Sequence, residues 1–255
     1  MNKDFLINGF EIIDCPKVEL ISQLRDEIYK IISQVYSIKD PLSESGLNYF
    51  HKHIQALNLA ELNKFRLETI SCINSQLNVS HLVFNAFRDV VIELLGPDIL
   101  VQKNCNLVLQ PPGDPNPSEI HRDAPLNSPY EIVVWIPLVD CYKTKSMYIL
   151  DAKHSTKAIE YLDNNPEDWD AFEIFSKSLA VNPDVKFGQA LIFHTGCIHG
   201  SEINKEMETR VSLNIRFKNL FSPPGMKNQL EFFDVINTSQ VVRLGNSLEF
   251  YELTK

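Results

Sequence analysis

The chain has 255 residues, of which 44% are hydrophobic and 22% charged, which suffices for one full hydrophobic core. Its net charge of -9 argues against a nucleic-acid partner, because phosphate binding depends on clustered lysine and arginine side chains. No stretch is apolar over the length of a bilayer, and the first residues lack the apolar core of a signal peptide, so the sequence predicts a cytoplasmic protein with no membrane partner.

Three amphipathic helices are predicted in the first hundred residues, because apolar residues recur there at intervals of three and four. They span residues 18–38, 62–77 and 80–96. Ser80 is the expected N-cap of the third helix, and Gly96, which is followed by proline, is its expected end. We expect these helices to cover the rest of the domain.

After residue 100 the sequence changes to short runs rich in β-branched residues, which predict the strands of a sandwich or jelly roll. One helical insertion is predicted at residues 158–179. The fold class is therefore α+β, in a single domain with a mainly helical cover at 1–99, a β-core at 100–220 and a C-terminal extension at 221–255. The predicted strands are NCNLVLQ, YEIVVWIPLVD, SMYIL, GQALIFH and RVSLNIRF.

The last of these strands has two chemically different faces. Its polar residues Arg210, Ser212, Asn214 and Arg216 alternate with apolar ones. Because side chains alternate between the two sides of a strand, the four polar groups share one side. We expect that side to line a polar cavity and the apolar side to pack under the helices.

A histidine and an aspartate two positions apart, His121 and Asp123, precede the longest apolar strand. The pair alone is more typical of a polar loop than of a metal site, but His199 and Arg210 follow downstream. Two imidazoles and one carboxylate form the facial triad that suits non-heme Fe(II) and leaves positions for other ligands. Arg210 supplies a planar guanidinium suited to a ligand carboxylate, and Ser212, on the same strand face, is a candidate second donor.

His194 is the alternative to His199 as the second imidazole, since it ends the preceding strand only five residues earlier. A strand-end histidine that bonds to the backbone is its other interpretation. The spacing between His199 and Arg210 favours His199 as the ligand.

Other side chains are candidates for ligand contacts. Asn106 is a candidate for binding the co-substrate, or for a satisfied polar pair in a half-buried strand. Arg122, Tyr148 and Arg216 are candidates for binding substrate, although Arg216 is also suited to pair with a carboxylate. Trp135 lies in an apolar run and is predicted to be core.

The segments expected around the cavity are basic although the whole chain is acidic. A cationic mouth favours a polar or anionic small-molecule substrate, whereas the alternative is a set of ordinary solvated surface charges. The residues concerned are Arg122, Lys143, Lys145, Lys153, Arg210 and Arg216.

These motifs resemble a known family. HRD (121–123), HGSEIN (199–204) and Arg210, eleven residues after His199, resemble the Fe(II)/2-oxoglutarate-dependent dioxygenases, in particular the phytanoyl-CoA hydroxylase-like branch. SMYILDAKHS (146–155) lies where that branch often carries a Pro-Gly-Ser-His turn, of which only the histidine is present here. The resemblance covers roughly residues 100–220.

The resemblance implies a double-stranded β-helix, a cupin-like jelly roll. It implies His121, Asp123 and His199 as catalytic iron ligands, Arg210 as the anchor of the far carboxylate of 2-oxoglutarate, and O2 as the other co-substrate. Asp123 favours hydroxylation over halogenation, because related halogenases lack that carboxylate. Residues 128–150 resemble bacterial members from carbohydrate gene clusters, which implies a sugar, a sugar acid or a nucleotide-linked sugar as substrate.

Two other hypotheses remain open at the level of sequence. One is a non-catalytic cupin-like protein that binds a metal or a sugar, although such a protein would not need the triad and Arg210 together. An oxygenase of this kind also forms an epimer, an alkene or a ring in some cases, and no residue decides between these outcomes. The extension at 221–255 is a candidate for capping the cavity, for packing on the helices or for assembly into a homo-oligomer.

Overall fold

The computed structural model describes residues 4–38 and 44–248 and combines helices with antiparallel sheet, as the α+β prediction requires. The helices are α1 (Asp4–Asn8), α2 (Val18–Val35), α3 (Glu44–Asn48), α4 (His51–Ile54), α5 (Leu59–Gln76), α6 (Val79–Leu95), α7 (Ala152–Asn164), α8 (Trp169–Leu179), α9 (Gln229–Phe232) and α10 (Gln240–Ser247). The strands are β1 (Phe10–Asp14), β2 (Ile99–Gln102), β3 (Asn106–Gln110), β4 (Glu131–Pro137), β5 (Met147–Ile149), β6 (Gln189–His194), β7 (His199–Ser201), β8 (Arg210–Asn219) and β9 (Phe233–Asn237). None of the helices in the described ranges is long and apolar enough to cross a membrane.

The larger sheet contains seven strands in the order β1-β6-β4-β8-β2-β9, with β3 also paired to β8. β4 is buried along its whole length between β6 and β8. Because β2 pairs with the C-terminal half of β8 and β3 with its N-terminal half, β8 contacts three strands. A second, small sheet consists of β5 and β7.

Helices α2, α5 and α6 pack together over one side of the larger sheet, and their buried side chains belong to the same hydrophobic core as those of the strands. On α2 the buried residues include Ile21, Leu24 and Ile28, which are spaced three and four positions apart. α6 also contacts β2 and β8 directly. The apolar side of β8 is therefore closed from solvent.

The start of α6 differs from the prediction. Asn78, not Ser80, is the N-cap, and its side chain accepts a hydrogen bond from the backbone N–H of His81. The Ser80 hydroxyl instead donates to the carbonyls of Gln102 and Lys103, which ties the helix to the end of β2. The helix ends at Gly96, as predicted, and the φ of 82° at that glycine suits a residue without a side chain.

The insertion predicted as one helix at 158–179 consists of two, α7 and α8, each capped by an aspartate. Asn165-Pro166 separates them, because proline cannot continue a helix and disfavours helical backbone at the residue before it. Both helices cover the outer side of the small sheet. The buried apolar residues between them and that sheet are Ile120, Tyr148, Leu150, Ala158, Phe172 and Ile198.

The C-terminal extension contributes to the larger sheet through β9, which pairs with β2 along four residues. The segment between β8 and β9 contacts the loop before β4. There the Ser128 hydroxyl donates to the carbonyl of Pro223, and Gly225 lies so close to the backbone of residues 126–128 that a Cβ would overlap it. Residues 249–255, the end of the extension, lie outside the described ranges.

Candidate metal centre

A cavity of about 100 Å3 lies between β7 of the small sheet and the polar side of β8. Of the four polar residues predicted to share that side, Arg210, Asn214 and Arg216 line the cavity. The alternate residues of β8, from Val211 to Phe217, have no exposed surface and belong to the hydrophobic core. The alternation in the sequence therefore correctly separated the two sides of this strand.

His121 and His199 line this cavity, and one ligand atom from each of them and from Asp123 lies within 4.8 Å of the others. The backbones of His121 and His199 form a reciprocal pair, in which each N–H donates to the other residue's carbonyl at 2.9 and 2.8 Å. This pair brings the two imidazole rings to a centroid distance of 4.3 Å. The histidine that opens β7 and the one from the loop before β4 are thus held together by main chain.

Both histidines are held in the tautomer that a metal requires. Nδ1 of His121 lies 2.8 Å from the carbonyl of Glu119, and Nδ1 of His199 lies 2.9 Å from that of Cys197. A carbonyl only accepts hydrogen bonds, so Nδ1 carries the proton and the Nε2 lone pair is free. Burial, reinforced by the nearby His121, lowers the pKa of His199 to about 4, so this ring is neutral at physiological pH.

Asp123 supplies the negative charge of the centre and is 7% exposed. Burial alone would raise its pKa, but the charges of Arg216 and His199 and a hydrogen bond from Arg216 hold the pKa of this carboxyl below its ordinary value. The group is therefore an ionised carboxylate beside two imidazoles. Two nitrogens and one oxygen this close together fit a divalent transition metal with further positions open.

Arg210 is 3% exposed and lines the same cavity. Its Nη1 donates to the Ser201 hydroxyl at 2.7 Å and to the Ser146 carbonyl at 3.4 Å, and its Nε donates to the Ser212 hydroxyl at 3.3 Å. All these acceptors are neutral, and among the described residues no carboxylate lies within ion-pair distance of the guanidinium. Burial lowers its pKa from the ordinary value. A buried guanidinium without a counter-charge is costly, so this site suits an anionic ligand.

The two serine hydroxyls that bond to Arg210 differ from the prediction. Ser212 has no exposed surface and does not line the cavity, so it supports the guanidinium rather than presenting a donor to a ligand. Ser201 was not predicted, yet it lines the cavity and bonds to Arg210. It lies two positions after His199 on the same strand, and this spacing is a signal that would have identified it.

Asn106 and Trp135 both line the cavity. Asn106, on β3, is exposed at its rim. Trp135 is 2% exposed, as predicted for a core residue, but the guanidinium of Arg210 lies 5.4 Å from its ring and its Nε1 has no partner among the described residues. Oδ1 of Asn214 is also buried and unpartnered within that part of the chain. Unsatisfied polar atoms around one cavity indicate a ligand that completes their hydrogen bonds.

The three substrate candidates have separate positions. Arg122 is exposed and does not line the cavity. Tyr148 is buried on the opposite side of the small sheet, among the residues covered by α7 and α8. Arg216 does line the cavity, and it pairs with Asp123. Lys145, expected at a cationic mouth, has no exposed surface and bonds to Glu208 instead.

His194 has both ring nitrogens engaged by the backbone. Its Nε2 lies 2.6 Å from the carbonyl of Pro129, and its Nδ1 accepts a hydrogen bond from the N–H of Gly196 at 3.0 Å. Neither lone pair is available to a metal, because the first nitrogen carries the proton and the second is already an acceptor.

Gly200 separates the metal centre from Tyr148. A Cβ at this position would lie 2.7 Å from Cζ of Tyr148 and 3.1 Å from the carbonyl oxygen of Glu119, which is fixed main chain. We expect Gly200→Ala to lower the free energy of unfolding by about 1–3 kcal/mol, as overpacking does. Urea denaturation measures this, and Gly245→Ala in α10, where a Cβ meets nothing within 4 Å, is the matched control that should not destabilise.

The fold is similar to that of solved non-heme enzymes and of enzymes solved with or dependent on 2-oxoglutarate. The non-heme monooxygenase ThoJ, solved with nickel, is 20% identical over 87% of this chain and 78% of its own, with a TM-score of 0.54. EctD from S. alaskensis, solved with 2-oxoglutarate and 5-hydroxyectoine, is 14% identical over 85% and 74%, with a TM-score of 0.55. The carbocyclase SnoK from nogalamycin biosynthesis is 12% identical over 89% and 86%, with a TM-score of 0.51. No protein-family model and no curated protein matches the sequence.

Proposed function

We propose that the protein is an Fe(II)/2-oxoglutarate-dependent oxygenase of the double-stranded β-helix fold, in the phytanoyl-CoA hydroxylase-like branch, and that it hydroxylates a small polar metabolite. One observation carries the proposal. Arg210, a buried cation without a counter-charge among the described residues, lines the same cavity as His121 and His199, whose ligand atoms lie within 4.8 Å of a carboxylate oxygen of Asp123. A dicarboxylate that reaches from the metal to this arginine satisfies both.

Each residue then has a defined role. His121 and His199 bind the metal through Nε2, while their Nδ1–H groups, fixed by backbone carbonyls, keep the rings in orientation. Asp123 is the anionic ligand. Arg210 binds the far carboxylate of 2-oxoglutarate, and Ser201 and Ser212 hold the guanidinium in place. Bound iron supplies the coupling of 2-oxoglutarate oxidation to succinate and CO2 with transfer of one oxygen atom from O2 to the substrate.

A cleft of about 230 Å3 adjoins the cavity along β3 and is the candidate substrate site. The two share Asn106, Val108, Ser118 and Ser201. Of these, Asn106 and Val108 lie opposite Asn214 and Ser212 in the sheet register, which places them on the cavity side of β3. A substrate in this cleft would therefore lie next to the metal ligands.

The chemistry of this cleft favours an uncharged, hydroxyl-rich substrate. Its charged lining residues, Arg66 and Asp114, form an ion pair with each other, and Arg66 also donates to the Leu109 carbonyl and to Asn63. A charged group placed here would find no free counter-charge. The side-chain amides of Asn106 and neighbouring residues suit hydroxyl groups. We therefore favour a sugar, as in carbohydrate biosynthesis, whose acidic or nucleotide part, where present, lies outside the cleft.

Succinate release tests this function. The protein reconstituted with Fe(II) is expected to convert 2-oxoglutarate to succinate in air, slowly alone and faster with its substrate. A panel of D-glucose, D-glucuronate and UDP-glucose compares a neutral, an acidic and a nucleotide-linked sugar of the same ring. Binding of metal and 2-oxoglutarate without succinate under any condition would instead favour a non-catalytic binding protein, and absence of both kinds of binding would refute the proposal.

A further inference from the structure

We infer that Arg216 is a positioning residue for the metal ligand Asp123: its two-point contact fixes the carboxylate so that one oxygen is presented to the metal. The inference rests on the function proposed above and adds a residue that acts through a ligand. Arg216 had been a candidate for binding substrate, and its place in the cavity wall is compatible with a contact to the ligand, but its hydrogen bonds are to protein groups.

The contact occupies both carboxylate oxygens. Nη2 of Arg216 donates to Oδ1 of Asp123 at 2.7 Å, and Nε donates to Oδ2 at 3.3 Å. Both side chains are largely buried, with exposed fractions of 15% for Arg216 and 7% for Asp123. Within the described residues, no other side chain hydrogen-bonds to this carboxylate, and Nε2 of His121 lies 4.0 Å from Oδ1. The orientation of Asp123 therefore depends on the arginine.

Arg216 is itself held in place by Gln102 and by the sheet. Its Nη1 and its backbone N–H both donate to Oε1 of Gln102, at 3.3 Å each. Its backbone lies in the middle of the larger sheet, opposite Val133 of β4. The guanidinium is thus held by strand pairing and by a second side chain, so it can hold Asp123 in turn.

The geometry suits the coordination that an oxygenase of this kind needs. A carboxylate can chelate a metal through both oxygens, which would occupy a position that the co-substrate or oxygen requires. A guanidinium fork engages the same two oxygens and leaves the remaining lone pairs for a one-oxygen contact. Arg210 and Arg216 lie six residues apart on the same side of β8 and therefore have different roles. Arg210 is available to bind the co-substrate, whereas Arg216 is paired with the metal ligand Asp123.

The test uses the full-length protein and Co(II), whose visible absorption reports its coordination, together with calorimetric titration. Arg216→Met removes the fork while keeping the length of the side chain. We expect it to weaken Co(II) binding by about 10- to 100-fold, the range for partners of metal ligands, and to change the Co(II) spectrum. Arg216→Lys keeps the charge but not the fork, so we expect it to weaken binding in the same direction.

Lys218→Met is the matched control. Lys218 is another buried cation on β8, two positions from Arg216, but its Nζ bonds to Pro223 and Gln229 and not to Asp123. Its removal is expected to leave Co(II) affinity and spectrum unchanged. If Arg216→Met does not fold, as judged by circular dichroism, the Co(II) affinity and spectrum of Arg216→Lys test the inference.

The outcomes separate this inference from the proposed function. If the wild-type protein binds no Co(II), the proposed function fails and the inference falls with it. If the wild type binds Co(II) and both Arg216 variants bind equally tightly or more tightly, with the same spectrum, the function stands and the positioning role is overturned. In that case the guanidinium only neutralises the carboxylate or competes with the metal for it.

Discussion

Replacing His121 with alanine is expected to reduce succinate formation from 2-oxoglutarate on the order of 100-fold or more. Loss of a partner behind a metal ligand already costs about 10–100-fold, and this change removes one of the proposed ligands itself. The side chain is partly exposed at 46%, so its removal should leave the fold intact. Succinate is quantified by mass spectrometry and bound iron by elemental analysis of the same sample.

His194→Ala is the informative control for this experiment. Both nitrogens of His194 bond to the backbone, so its loss should leave the iron content near that of the wild type. Full iron content and activity in His121→Ala, with loss of both in His194→Ala, would show that the ligands are assigned wrongly.

Replacing Arg210 with methionine is expected to weaken 2-oxoglutarate binding by about 30- to 5,000-fold, which corresponds to about 2–5 kcal/mol for truncating one partner of a buried charge pair. Co(II) binding should persist, because Arg210 hydrogen-bonds to serines and not to the metal ligands. Titration of 2-oxoglutarate into the Co(II)-loaded protein measures the first effect and Co(II) titration the second.

The same variant has a second expected effect, on stability. In the absence of co-substrate, Arg210 is a buried charge without a counter-charge in the described part of the chain, so Arg210→Met should raise the Tm. Arg210→Lys keeps the charge without the fork and should lose binding without this gain. A lower Tm together with unchanged 2-oxoglutarate affinity would mean that the arginine is structural.

Much of the candidate site could be predicted because its residues obey local rules. The period of two in residues 210–217 depends on backbone geometry alone, so it identified which side of β8 is polar. The spacing of His121 and Asp123, and of His199 and Arg210, likewise needs no knowledge of the partner strands. These features can be recognised in the sequence because each is contained in one short segment.

What could not be predicted depends on which strand packs against which. Tyr148 and Leu150 both pack against the helical insertion, and the sequence alone could not tell whether Tyr148 faces the cavity or this insertion. The orientation of the sheet in the domain decides this, and α7 and α8 cover the side on which Tyr148 lies. Strand β7 has only three residues, too few for a periodic signal. The role of Arg216 depended on a carboxylate 93 positions away in the sequence.

The register of strand β8 against its neighbours affects the candidate site as well as the packing of the core. It positions Arg210, the arginine proposed to bind the co-substrate, at its first residue and Arg216, the partner of the proposed metal ligand Asp123, six residues later, while its other side completes the core. A slip of one residue against β4 would send both guanidinium groups into hydrocarbon and expose valine, leucine and phenylalanine to the cavity. The correct register of β8 is therefore required both for a stable fold and for the candidate site. A chain that pairs this strand in the wrong register loses stability together with the site.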